Sequence, residues 1–234
     1  MITGVAFCPH PPVLVPDIAS GAASELDDVR QHAIAAIRDV ARRSTAVLLL
    51  GSGASSRSHS PLSRGTFAGF GVPHEVSLGS PACGGDVDLP LSLSVGAWLV
   101  TEALGPRSNA RGISVGPDYS TSAAATDALR IAETEDIGLV VMGDGSARRV
   151  PTAPGYVDER AIGFDDAVTH ALATGDADAL ADIDLDLAAE LLAAGAPAWR
   201  AAGRLLAGYD YAATLLIETA PFGVNYVVAH WVAA

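Results

Sequence analysis

Six histidines, two cysteines and an excess of carboxylates are the groups through which this chain could do chemistry. His10 has the most unusual setting, Cys8-Pro9-His10-Pro11-Pro12. Proline donates no ladder hydrogen bond and fixes its own φ, so the run ends the apolar strand expected over Ile2 to Phe7. Pro9 and Pro11 also hold Cys8 and His10 in extended geometry. The result is a stiff, strand-terminal imidazole, placed as a metal ligand or a catalytic base would be. The simpler alternative is a rigid loop whose histidine only hydrogen-bonds to backbone. Cys8 lies two residues before His10, and a thiolate beside an imidazole suits zinc better than an oxygen-activating Fe(II). Other candidates are His59 at the end of Gly51-Ser52-Gly53-Ala54-Ser55-Ser56-Arg57-Ser58-His59, the pair His74-Glu75, and Gly143-Asp144-Gly145-Ser146-Ala147-Arg148. Asp144, Ser146 and Arg148 together with the Gly51–Ser56 loop could also serve a metal-free hydrolase or an anion site, since arginine binds carboxylate and phosphate well. No Gly-x-Ser-x-Gly elbow and no phosphate loop accompanies them. Arg148 and Arg149 have a plainer reading as partners of Asp158 and Glu159. His32, His170 and His230 read as surface or structural, with His230 expected to follow the last strand.

The elements that must position these groups alternate between strand and helix. Thr45–Leu50 and Ile137–Met142 are continuous apolar runs of strand length, as in parallel strands buried on both faces. Each runs into one of the polar loops above, and in open α/β sheets the ligand crevice lies outside strand C-terminal ends. Cys8, Ser52, Gly53, Asp144, Ala147 and Arg148 are therefore the expected lining of a cleft. Leu26, Val29, Ala33, Ile37 and Val40 recur at helical spacing and predict a helix over 24–43, opened by a capping-box-like Ser24-Glu25-Leu26-Asp27. Further helices are expected at 89–104, 122–134, 162–173, 176–181, 185–194 and 197–207. Strands are expected at 112–115, 212–218 and 224–228, with an edge strand near Val72–Leu78. The reading is a single α/β domain over 1–234, a three-layer sandwich with a central mostly parallel or mixed sheet flanked by helices.

Composition narrows the function. With 234 residues, 50% hydrophobic and 18% charged, the chain is globular. Its net charge of −13 makes nucleic acid and anionic membrane poor partners. No apolar run reaches the roughly 18 residues that span a bilayer. No basic segment precedes the first apolar residues, which leaves the cytoplasm as the expected compartment. Two cysteines are too few for a disulfide framework. Lysine is absent, which excludes Schiff-base and lysine-base mechanisms.

Three stretches carry a family resemblance: Pro9-His10-Pro11-Pro12 with Val15-Pro16; Gly143–Arg148 with Ala153-Pro154-Gly155-Tyr156 and Phe164-Asp165; and Pro221-Phe222-Gly223-Val224-Asn225-Tyr226. In order and spacing they resemble the LigB-like class III extradiol ring-cleavage dioxygenases, whose relatives include the Memo-like proteins. The resemblance implies Fe(II) held by two histidines and a carboxylate, with a further histidine as acid/base. It places His10 at the first ligand. At the second ligand stands Gly53, at the acid/base histidine Ala147, and at the carboxylate Ala193, one turn from Glu190. One of four positions is kept, so the expectation is a scaffold without its iron site and with a small-molecule cleft. An active ring-cleaving oxidoreductase is the alternative, with Fe(II) or another divalent metal held in a rearranged site by His10, with His59 and Asp144 as the candidate further ligands. The metal-free hydrolase or anion-binding protein is the third reading. The resemblance also makes a homo-oligomer or a complex with a small partner chain plausible.

Overall fold

The computed structural model describes residues 1–79, 86–106, 108 and 110–234; Cys83 lies outside them. The strands are β1 (Ile2–Cys8), β2 (Ala46–Ser52), β3 (Arg57–His59), β4 (Arg64–Thr66), β5 (Glu75–Ser77), β6 (Ala110–Val115), β7 (Ile137–Met142), β8 (Tyr211–Thr219) and β9 (Tyr226–Ala233). The helices are α1 (Pro16–Ala19), α2 (Asp27–Arg42), α3 (Leu91–Leu104), α4 (Ala123–Thr134), α5 (Arg160–Thr174), α6 (Ala177–Ala181), α7 (Leu185–Glu190) and α8 (Ala196–Leu206). Seven strands form one sheet in the order β3-β6-β2-β7-β1-β9-β8. Its centre, β6-β2-β7-β1, is parallel, while β3 on one side and β9 and β8 on the other are antiparallel. Strands β4 and β5 pair separately.

Side chains alternate across a strand, and here both faces are covered. Val5, Phe7, Leu48, Leu50, Leu139 and Val141 join the core beneath α5 and α8, around Trp199 and Trp231. Their neighbours Ala6, Cys8, Val47, Leu49, Val140 and Met142 join the core beneath α2 and α3. The continuous apolar runs of β2 and β7 follow from this double burial, and the layers form the three-layer α/β sandwich that the alternation of elements implies. Fully burying one such side chain contributes about 1.5–3 kcal/mol, so the central strands carry much of the stabilising burial.

Several local expectations are corrected. The helix expected over 24–43 begins at Asp27; Ser20–Leu26 is 3-10 helix, and Leu26 at the N-cap supplies no side-chain cap. The capping-box residues therefore lie before the helix. The polar loop after β2 is shorter than expected, because Arg57–His59 pairs antiparallel with β6. The expected edge strand near Val72–Leu78 is β5, in the small second sheet. The last strand runs on to Ala233, so His230 lies within it, opposite Ala6 and Thr214. No helix among the described residues is long and apolar enough to cross a membrane.

Candidate functional site

The C-terminal ends of β1, β2 and β7 bring His10, Ser52-Gly53 and Asp144 to one end of the sheet. From Pro9 to Pro12, His10 carries the sole peptide N–H, because its three companions are prolines. That N–H donates to Asp144 Oδ1 at 2.7 Å. The Pro-His-Pro-Pro run thus anchors a carboxylate through its backbone as well as carrying a ring. The ring lies against the same oxygen, with Nδ1 3.9 Å from Asp144 Oδ1 and side chains only 8% and 11% exposed. His10 Nδ1 is buried without a hydrogen-bond partner. Burial pushes the Asp144 carboxyl above its ordinary range, while His10 pulls it down. Tyr226, at the start of β9, is buried nearby; burial and the Asp144 charge both push its phenol up.

The backbone here is held by close approaches. Gly143 N–H donates to the Cys8 carbonyl at 2.8 Å, and Gly195 N–H to the Asp144 carbonyl at 2.8 Å. A Cβ at Gly195 would stand 2.5 Å from Gly143 Cα, and one at Gly143 would stand 2.6 Å from the Trp199 ring. Only glycine allows α8 to begin so close to the loop after β7. Ser52 Oγ donates to the Ala194 carbonyl at 2.7 Å, tying β2 to the same turn.

Beyond Asp144 the loop is fixed by its own polar groups. Ser146 is fully buried; its hydroxyl donates to the Leu191 carbonyl at 3.2 Å and accepts from Arg148 N–H at 3.1 Å. This hydroxyl holds a loop and has no solvent path for attack on a substrate. Ser146 N–H donates to Asp165 Oδ1 at 2.8 Å. Burial pushes Asp165 up to about 7, although Arg149 stands 3.4 Å away. The expected pairing of Arg148 and Arg149 with Asp158 and Glu159 is met only in part: Asp158 N–H donates to the Arg148 carbonyl at 3.1 Å and Asp158 feels the Arg148 charge, but its ion pair is with Arg160, and Arg149 faces Asp165 and Glu218. Arg148 is half-buried, with its Nε lacking a hydrogen-bond partner. Ala147 donates its N–H to the Leu191 carbonyl at 3.1 Å.

The remaining candidates lie elsewhere. His59 is on β3, four strand steps from β1 and roughly 19 Å across the sheet. Its Nε2 is 3.1 Å from Ser114 Oγ and its Nδ1 3.5 Å from Asp88 Oδ2. His59 and His10 therefore share no site. His74 faces Asp17, Glu75 pairs with Arg64, and Glu190 pairs with Arg160 on the surface. Cys8 is buried on the α2–α3 face, and desolvation pushes its thiol strongly up, which keeps it protonated and a poor metal ligand.

The donors at the His10 end do not fit an Fe(II) facial site. His10 and Asp144 are two groups where three ligands are needed, and they already contact each other. A histidine at Gly53 would need Ser114 to give way, because a Cβ there would meet Ser114 Cβ at 3.0 Å. Among the described residues, no group of three or more His, Cys, Asp or Glu side chains could hold one metal ion. Tyr226, Asn225 and Asp165 build the site, yet residue type and spacing alone do not single them out. Their signal in the sequence is the motif context of Val224-Asn225-Tyr226 and Phe164-Asp165. Asn225 joins this loop through two backbone bonds, accepting from Gly145 N–H at 2.8 Å and donating to the Ser146 carbonyl at 3.1 Å.

No family model matches the chain, and no curated protein matches it. Among solved structures it is similar to an uncharacterized protein, JW3007, from Escherichia coli K12. The two are 13% identical, the likeness covers 99% of this chain and 100% of the other, and the TM-score is 0.49. A likeness of that degree carries no argument about function.

Proposed function

We propose that this chain is an extradiol-dioxygenase-like protein that no longer performs iron-dependent ring cleavage and that keeps its strand-end site for a small molecule. The observation that supports this reading is the composition of the site: one imidazole, with glycine and alanine where the resemblance calls for the other ligands. The tight approach of Ser114 to Gly53 supports it further, since a side chain there would press on Ser114 Cβ at 3.0 Å. The remaining chemistry at the strand ends is a buried imidazole–carboxylate pair beside a phenol. Such a trio can hold or exchange a proton with a polar ligand atom, and its burial strengthens any hydrogen bond made there.

The test is metal analysis of protein purified without chelators, followed by Fe(II) titration and oxygen uptake with a catechol. The expected result is no stoichiometric metal, no saturable Fe(II) binding and no oxygen uptake. Stoichiometric iron bound through His10, with catechol cleavage abolished in His10→Ala, would overturn the proposal and favour the active oxidoreductase.

A further inference from the structure

Two clefts lie beside α8. The first, of about 160 Å³, is lined by Tyr119, Ser120, Arg200 and Arg204 among others, at the end of β6. The second, of about 360 Å³, is lined only by Leu185, Leu192, Pro197 and four alanines. Leu185 and Pro197 line both, so the clefts adjoin. One is cationic and carries no acidic residue in its wall; the other is wholly apolar.

Carboxylates outnumber basic residues 27 to 14, and nine arginines stand within 4 Å of one. Among the described residues four do not, Arg38, Arg148, Arg200 and Arg204, and the last two stand together on one helix. Arg200 is pinned by donating from Nε to the Ala181 carbonyl at 3.2 Å, which leaves its terminal nitrogens for another acceptor. Arg204 is four residues on, so both project from one face of α8, with Cβ atoms roughly 5–6 Å apart. Two guanidinium groups at that spacing can share one anionic head. Burial keeps the Tyr119 phenol protonated, and so a donor.

The apolar cleft has its own sign of function. Leu192 is 46% exposed and has φ +57°, a left-handed conformation that glycine would adopt without strain. An exposed leucine thus stands where the backbone favours glycine, on the wall of an apolar cleft.

We propose that these clefts bind an amphipathic organic anion, with its carboxylate, sulfonate or phosphate head between Arg200 and Arg204 and its apolar body over Leu185, Leu192 and the alanines. The proposal is independent of whether the His10 end holds iron. Its test uses the full chain and two fluorescent probes of like shape, 1-anilinonaphthalene-8-sulfonate and the uncharged N-phenyl-1-naphthylamine. The sulfonate is expected to bind saturably. The double variant Arg200→Gln, Arg204→Gln should weaken it by about tenfold or more, as loss of charge-assisted bonds does. The same variant should leave the neutral dye nearly unchanged, and a lysine pair should restore most of the sulfonate affinity. Ala189→Trp, on the exposed wall of the apolar cleft, should weaken both probes. Circular dichroism confirms that each variant is folded; if the glutamine pair is not, Arg204→Gln alone on its exposed side chain reads the same quantity. No saturable sulfonate binding, sulfonate binding unchanged by arginine loss, or equal loss for both probes would each overturn the proposal.

Discussion

Two buried histidines, each facing a carboxylate, make the sharpest contrast in the molecule. His59 is held: Nε2 meets Ser114 Oγ at 3.1 Å, and Asp88, 3.5 Å from Nδ1, is itself bound by Arg57 at 2.8 Å. Ser114 Oγ in turn donates to the Ser55 carbonyl at 2.8 Å. Burial lowers the pKa of His59, so the ring stays neutral and fastens the edge strand. At His10 the carboxylate is engaged by the peptide N–H; Nδ1 is buried without a hydrogen-bond partner in both rings, so the difference lies in the Ser114 bond that His59 Nε2 makes. The same residue pair therefore does two jobs. One closes a sheet edge; the other leaves hydrogen-bonding capacity at the strand ends, where ligands enter α/β sheets.

The contrast can be tested by removing each ring. His59→Ala should destabilise the chain by about 2–4 kcal/mol in urea denaturation, because it opens a cavity and removes the bond to Ser114. Equal stability of that variant and wild type would break the comparison. Asp165→Asn should have the next largest effect, and a pH-dependent one. The folded pKa of Asp165 is raised to about 7, so ionisation disfavours the fold. Its contribution is therefore fully present below the unfolded carboxylate pKa and is lost as pH rises toward 7 and above. The asparagine variant should gain on the order of 2 kcal/mol relative to wild type at pH 8 and little at pH 3. Melting curves across that range read the difference, and a gain that grows toward acid would contradict it.

Gly53→His joins the two regions, since a side chain there presses on Ser114. It should cost about 1–3 kcal/mol through overpacking and confer no Fe(II) affinity, because Ala147 and Ala193 still supply no ligand. Saturable Fe(II) binding by this variant would show that the site had kept its other donors. The smallest effect is expected for His10→Ala. Relief of an unpartnered buried nitrogen offsets much of the lost packing, so the change should stay below about 1 kcal/mol. A loss comparable with that of His59→Ala would make His10 structural too.

Much of the architecture is legible from apolar periodicity. Ile137–Met142 is a strand at its expected bounds, and Thr45–Leu50 is shifted by only one or two residues, because double burial leaves a continuous apolar run. Strand β3 is not legible: Arg57-Ser58-His59 has no apolar alternation and is a strand only because β6 offers an open edge. The same tertiary pairing buries His59, which sequence distance alone leaves free to swing toward His10. The Pro-His-Pro-Pro run is readable as a stiff strand end. Its main hydrogen bond, peptide N–H to Asp144 across 134 residues, depends on the β1–β7 pairing.

The most direct measurement of the central claim is the iron content of wild type against His10→Ala, after incubation with Fe(II) under anaerobic conditions and removal of free metal. The account predicts no stoichiometric iron in either protein. One iron per wild-type chain that is lost in His10→Ala would contradict it and restore a working metal centre to these strand ends.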